Sequence, residues 1–149
     1  MARRVYSRAY ASVRFMSPVL DPLTITNLLG IPPDHQHRSG ERRLVRTRSG
    51  KINEHAPYSA GQWSISSELW VQSTKLETHL IWLLEQLEPH ASAIRSLEIA
   101  DLKIDFFCYS AGSTSAVPSI PNVVSERARA LGITIDIDHY DTTDHGNLA

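Results

Sequence analysis

One cysteine, Cys108, stands in a chain of 149 residues. That excludes an intramolecular disulfide framework and any zinc site built on cysteine pairs, so packing must hold the fold. Long apolar runs are missing as well. The longest nearly uncharged one, Leu80 to Leu84, is far short of the roughly 20 residues that a membrane-spanning helix requires. Arg3 and Arg4 are followed by no apolar segment, which argues against secretion and twin-arginine export and points to the cytoplasm. Neither Gly-x-x-x-x-Gly-Lys, Gly-x-Gly-x-x-Gly nor Gly-x-Ser-x-Gly occurs, so a phosphate-cradling loop, a dinucleotide site and a nucleophile elbow have no sequence support.

What is present is enough apolar residue, 42%, for one core that removes roughly 70% of the unfolded surface from water. The expected organisation is a single domain over residues 1–140 with a frayed tail at 141–149. The net charge of −1 conceals a division. Residues 1–52 carry ten Lys/Arg against three acids, a balance of +7, and residues 53–149 carry five against thirteen, a balance of −8. Such polarity suits either an anionic partner or the pairing of one half of the chain with the other.

Apolar residues set the element order. Val5, Ala9, Ala11, Val13 and Phe15 alternate with Tyr6, Arg8, Tyr10 and Arg14, the period of a strand with two unlike faces and not of an amphipathic transit helix. Asp21-Pro22 reads as an N-cap followed by proline at the first helical position, with Gly30 as the left-handed stop. Glu41 to Thr47 suits an exposed strand, Ser49-Gly50 a turn into a weaker strand, and Gln62 to Ser66 a strand with Trp63 and Ile65 inward. Thr74 and Glu77 form a capping box ahead of the stripe Leu76, Leu80, Leu83, Leu84 and Leu87. After Pro89, Ala91 to Leu97 predicts a short helix. Leu102, Ile104, Phe106 and Cys108 alternate with Lys103, Asp105, Phe107 and Tyr109 in a further strand. Ala111 to Pro121 is a loop, Asn122 caps a helix that Gly132 closes, and Ile133, Ile135 and Ile137 alternate in the last strand. The fold class that absorbs these stripes is α+β, a two-layer sandwich of a mainly antiparallel sheet with helices on one face, ferredoxin-like or related.

Leu20-Asp21-Pro22 with Ile25-Thr26, Leu29-Gly30-Ile31-Pro32, Gly61-Gln62-Trp63-Ser64, the Leu76 to Leu87 helix and Leu131-Gly132 with Ile135-Asp136-Ile137-Asp138 span most of the chain. Together they resemble the bacterial domain-of-unknown-function family 4279. The resemblance implies a small intracellular α+β domain and carries over no catalytic residue.

Candidate chemistry is sparse. Asp34, His35 and His37 present metal-ligand types after a Pro-Pro turn, where solvated loop histidines are the commoner outcome. Asp136, Asp138, His139, Asp141, Asp144 and His145 are ligand-rich, yet alternation puts Asp136 and Asp138 opposite the isoleucines of a strand. Neither group is assigned a metal, no cofactor is assigned, and no residue is assigned as catalytic. Cys108 falls on the apolar face as a small buried hydrophobe. The face away from the helices gathers Tyr6, Arg8, Tyr10, Arg14, Phe107 and Tyr109, and the basic run contributes Arg42, Arg43, Arg46 and Arg48 beside Arg38 and Lys51. Tyrosine and arginine are the residues enriched at protein-interface hot spots. These residues are therefore assigned to a protein partner, with a homodimer as the alternative and an immunity-type or regulatory role as the expected kind of activity. A nucleic-acid surface fits less well, because the Lys103 to Phe107 strand lacks the glycine of the RNA-recognition signature and carboxylates share its face. A small-ligand or enzyme pocket between the sheet and the loops His35 to Arg38 and Ala111 to Pro121 is the competing class. The basic run also suits a charge-guarded edge strand.

Overall fold

The computed structural model describes residues 8–112 and 117–141. Tyr6, Asp144, His145 and the expected tail therefore lie outside the described residues, apart from Asp141 at the end of the last strand. The chain runs through β1 (Arg8–Ser17), α1 (Pro22–Leu29), β2 (His35–His37), β3 (Arg43–Arg46), β4 (Ile52–His55), β5 (Gly61–Ser66), α2 (Leu76–Leu87), a 3-10 turn (Glu88–His90), α3 (Ala91–Arg95), β6 (Lys103–Gly112), α4 (Asn122–Ala130) and β7 (Thr134–Asp141).

The period-2 patterns read as expected. Along β1 the alternate residues Ala9, Ala11, Val13 and Phe15 are buried while Tyr10, Ser12, Arg14 and Met16 are half-buried on the other side. Five strands form one mixed sheet in the order β2-β5-β1-β6-β7. Its β2/β5, β5/β1 and β1/β6 junctions are antiparallel, and β6/β7 is parallel. A parallel junction requires a crossover, which α4 supplies. Between β5 and β6 the chain passes through α2 and leaves β1 between the two, a split β-α-β arrangement. The helices occupy one face: α1 lies against β5, α2 against β1 and β6, and α4 against β7. Leu80, Leu83, Leu84 and Leu87 of α2 meet Val13, Phe15, Trp63 and Phe106 of the sheet in a core where each is fully buried. The architecture is the expected two-layer α+β sandwich.

Helix ends separate local preference from tertiary demand. Asp21 caps α1 through Oδ1, which accepts the Leu23 amide at 3.0 Å, and Gly30 (φ +67°) ends it by donating to the Thr26 carbonyl at 2.8 Å, both as expected. Trp63 Nε1 donates to Thr26 Oγ1 at 3.0 Å and ties this helix to β5. The end of α4 is a Schellman motif: Ile133 N donates to Ala128 O at 3.0 Å and Gly132 N to Arg129 O at 2.9 Å, with Gly132 at φ +73°. Its start corrects the expectation, since Pro121 and not Asn122 occupies the cap position. The Thr74–Glu77 capping box is also corrected. Helix α2 begins at Leu76 with extended Lys75 in the cap position and no side-chain cap. The Ser73 carbonyl and hydroxyl are taken by His79 and the Lys75 amide, and this holds residues 73–75 out of the helix that a Thr74 cap would start.

The hairpin β3/β4 is a separate two-stranded sheet, joined in the register Arg43↔His55 to Arg46↔Ile52. Two strands and a turn at Gly50 were expected here. The basic segment Arg43–Arg46 is an edge strand, as a two-stranded sheet requires, but of this small sheet, and the edge on this side of the main sheet is β2. None of the helices is long and apolar enough to cross a membrane, among the described residues.

Candidate functional site

Register builds the helix-free face. Directly opposed residues of an antiparallel pair project to the same side, so Tyr10↔Tyr109, Ser12↔Phe107 and Arg14↔Asp105 share a face. Parallel pairing adds Asp136 beside Phe107 and Asp138 beside Tyr109. Tyr10 and Tyr109 stack with ring centroids 4.9 Å apart and planes 17° from parallel, and Tyr140 extends the row at 5.3 Å from Tyr109. The Arg8 guanidinium lies 5.6 Å from the Tyr10 ring centroid and pairs with Glu68. Burial and then the Glu68 carboxylate raise the Tyr10 hydroxyl above its usual range, against the pull of Arg8. The Tyr140 hydroxyl is raised by its 2.9 Å hydrogen bond to Asp138 Oδ2. Tyr10 and Tyr140 are thus uncharged at neutral pH, and the row is bordered on the β7 side by Asp136 and Asp138.

Arg14 has a different place from the one its sequence position suggests. Its Nε and Nη2 donate to the two carboxylate oxygens of Asp105 at 2.9 and 2.7 Å, and its guanidinium carbon sits 4.5 Å from the Phe107 ring centroid. The hydrogen bond to Asp105 raises Arg14 further above its already high range. Asp105 is 1% exposed. Arg14 and Phe107 together form a lid over a buried carboxylate, and the row Tyr10, Tyr109 and Tyr140 is what the face offers to a neighbour.

The expected loop is corrected: His35 and His37 are in β2, paired with Ser64 and Gln62, and of the two only His35 is exposed as expected. His37 is buried and stacks on Tyr58 at 3.5 Å between centroids, 12° from parallel. The Tyr58 amide donates to the Glu41 carbonyl, and the Tyr58 carbonyl accepts from Gly40. The stack thereby docks the chain around the hairpin against the sheet edge. Nδ1 of His37 is the one buried side-chain polar atom without a partner among the described residues. Burial, then neighbouring His35, pushes His37 below the ordinary imidazole value of 6.5; Arg43 adds to this, while Glu41 and the Ala60 backbone oppose it. The folded chain therefore keeps His37 neutral where the unfolded chain binds a proton. Its contribution to stability is complete above about pH 6.5 and is lost as pH falls through the lower folded value. In urea denaturation across about pH 7 to about pH 5, His37→Phe flattens the loss of stability relative to the unsubstituted chain. Parallel curves would assign the loss elsewhere.

On the hairpin, Arg42 pairs with Glu54, Arg43 lies 5.7 Å from the Tyr58 ring centroid, and Arg46 and Arg48 are exposed. Leu44 and Ile52 are 51% and 54% exposed beside them. Arg38 pairs with the helix cap Asp21 at 2.8 Å. Among the described residues no three of His, Cys, Asp and Glu come together to hold a metal ion. Cys108 is fully buried, and burial pushes its thiol up to about 12, so it is an unreactive core residue.

Sequence reasoning missed a buried pair. Ser67 Oγ and His79 Nδ1 lie 2.6 Å apart, and His79 Nε2 is 2.8 Å from the Ser73 carbonyl. A carbonyl only accepts, so Nε2 carries the proton, Nδ1 accepts from the Ser67 hydroxyl, and that oxygen accepts the Ala11 amide at 3.0 Å. Ser67 is 0% and His79 1% exposed. With no route to solvent and a carbonyl as third member, the chain of bonds is a brace and not a nucleophile with its base.

Two cavities lie elsewhere than between the sheet and the His35 to Arg38 loop. One of about 500 Å³ is framed by Ile31 to Asp34, Trp70 and Trp82. The other, of about 320 Å³, lies among Arg8 and Ser110 of the sheet, Lys75, and Ala111, Pro118 and Ser119 of the Ala111 to Pro121 segment, one of the two loops expected to frame a pocket. In comparison with known proteins, the family model described as "Domain of unknown function (DUF4279)" matches residues 7–142, nearly the whole chain. No curated protein and no solved structure matches.

Proposed function

We propose that this chain, which belongs to the DUF4279 family of domains of unknown function, is a binding module that takes a protein partner on the helix-free face of its sheet. The observation that carries the reading is the row of Tyr10 stacked on Tyr109 and Tyr140 tilted against Tyr109, on a face where no helix lies among the described residues. Stacked tyrosines are rigid, amphipathic and lose little side-chain entropy on contact, which is why they anchor interfaces. Exposed Asp136 and the Asp138 carboxylate flank the row, and the arginine-rich hairpin lies past the opposite edge of the sheet. A partner that matches both ends presents cations toward β7 and carboxylates toward the hairpin. The same carboxylates repel a phosphate backbone, which sets nucleic acid aside. An immunity-type or regulatory role fits a module of this kind in the cytoplasm.

The test uses Tyr10→Ala combined with Tyr140→Ala. Quantitative affinity purification from the native host recovers the specific partner at least about thirtyfold less well with the double variant, the loss expected from removing hot-spot residues. The circular dichroism of the variant stays that of the parent. Equal recovery of every co-purifying protein by both chains would exclude this face. Sedimentation that shows concentration-dependent pairing, abolished by the same two substitutions, would identify the partner as a second copy.

A further inference from the structure

The cavity of about 500 Å³ has no part in the reading above, and its lining is unusual in composition. One wall is Trp70, which is 70% exposed although a tryptophan this open to water is costly to keep at a surface. It is held there from within. Its amide and that of Val71 both donate to the Ser67 carbonyl at 2.9 Å, and Ser67 is the residue braced by His79 and the Ala11 amide. Trp82 of α2 also lines the cavity, nearly parallel to Trp70 at 11° with centroids 6.3 Å apart. Pro32 and Pro33 add to the apolar lining. Asp34, also in the lining, is oriented by the Ser66 amide, which donates to Oδ2 at 2.6 Å, and by its own amide, which donates to the Ser64 carbonyl at 2.9 Å. Among the described residues that line the cavity, Asp34 is the only charged one and Gln86 supplies the only side-chain amide.

From indole faces, an apolar wall and one unopposed carboxylate, we infer that this cavity binds an alkylated ammonium group, the cation of a choline-like molecule or of a methylated lysine. The electron-rich faces of two tryptophans attract a cation, and tryptophan is the strongest of the aromatic side chains in this respect. The carboxylate gives the charge a counter-ion, and the absence of lysine or arginine from the lining leaves nothing to repel it. Alkylation is what distinguishes the ligand from a bare ammonium. An –NH3+ group brings three donors that need acceptors, and these walls are mostly carbon. Methyl groups spread the charge and pack against proline and indole. About 500 Å³ also falls within the usual range of small-molecule sites.

The experiment titrates the full chain, by calorimetry and tryptophan fluorescence, with choline, with 3,3-dimethyl-1-butanol as its uncharged isostere, and with a short peptide that bears trimethyllysine. A saturable site that takes choline or the peptide at least about tenfold more tightly than the isostere is the expected result, given the strength of a desolvated cation–aromatic contact. Trp70→Ala, at an exposed position, weakens that binding about tenfold. Asp34→Asn weakens it too while keeping an oxygen for the Ser66 amide. Tighter binding of choline identifies a free metabolite as the source, and tighter binding of the peptide a modified protein; either supports the site. Equal affinity for the isostere, no effect of Trp70→Ala, or no saturable signal with either cation overturns the proposal. The Tyr10→Ala/Tyr140→Ala chain retains the site, so the outcome is independent of the sheet-face reading.

Discussion

Arg14→Ala lowers the free energy of unfolding by about 3–5 kcal/mol, the usual loss when one member of a buried ion pair is removed. The size follows from asymmetry. Asp105 is 1% exposed and receives both of its guanidinium hydrogen bonds from one side chain, whereas the Arg14 side chain is 28% exposed. Removing the arginine leaves a carboxylate with its charge buried and two lone pairs unmatched. Removing the carboxylate leaves a guanidinium that already reaches water, so Asp105→Asn costs less than Arg14→Ala. Part of the arginine's effect is packing, since its stem and planar head cover Phe107. Urea denaturation of the two single variants and of Arg14→Leu/Asp105→Leu checks the assignment. The double variant recovers much of the loss, because a matched apolar pair replaces a buried ion pair at little net cost. A loss below about 1 kcal/mol for Arg14→Ala would show that the pair behaves as an exposed one.

Ser67→Ala has the second large effect, about 2–4 kcal/mol, because one hydroxyl serves two buried partners. Without it, the Ala11 amide in β1 and His79 Nδ1 in α2 both lose their partner in a site closed to water. No cavity of consequence is created, so the loss measures unmet hydrogen bonds and not packing. Thermal or urea unfolding gives the magnitude. The histidine ring provides a second reading: the Ser73 carbonyl keeps the proton on Nε2 in both chains, and the nitrogen shift of Nδ1 changes in the variant as its hydrogen bond from Ser67 is lost. A change under about 0.5 kcal/mol, as at an ordinary surface serine, would remove the brace from the description.

The elements legible in the sequence are those whose signal is local. Alternation in Ala9 to Phe15 and in Ile104 to Tyr109 assigned each side chain to its face of the sheet, and Asp21, Pro22 and Gly30 delimited α1 within a residue. β2 was hidden because three residues cannot display a period, and its pairing with Ser64 and Gln62 lies across a hairpin excursion. Arg14 and Asp105 were each placed on the helix-free face, but whether they meet depends on the β1/β6 register, set by residues 91 positions apart. The Ser67–His79 brace had a faint mark: His79 lies on the buried stripe of α2, one residue before Leu80, and a histidine there needs partners. The Thr74–Glu77 box obeyed every local rule and lost to that requirement. Of the face itself, Tyr10, Phe107 and Tyr109 were found by alternation alone, whereas Tyr140 was not, since it joins the row only through the parallel β7 register.

The central position of β1 bears on how the chain is made. It is the first of the described strands to be synthesised, yet its neighbours are β5 and β6, and Arg8 finds its partner only at Ala111. At the usual elongation rate of about 5–20 residues per second, the strand waits roughly 5–20 s for β6 to emerge. β5 and α2 emerge earlier and can cover part of it, but the β6 side of the strand stays unpaired backbone throughout that interval, so completion of the sheet is a late event in synthesis.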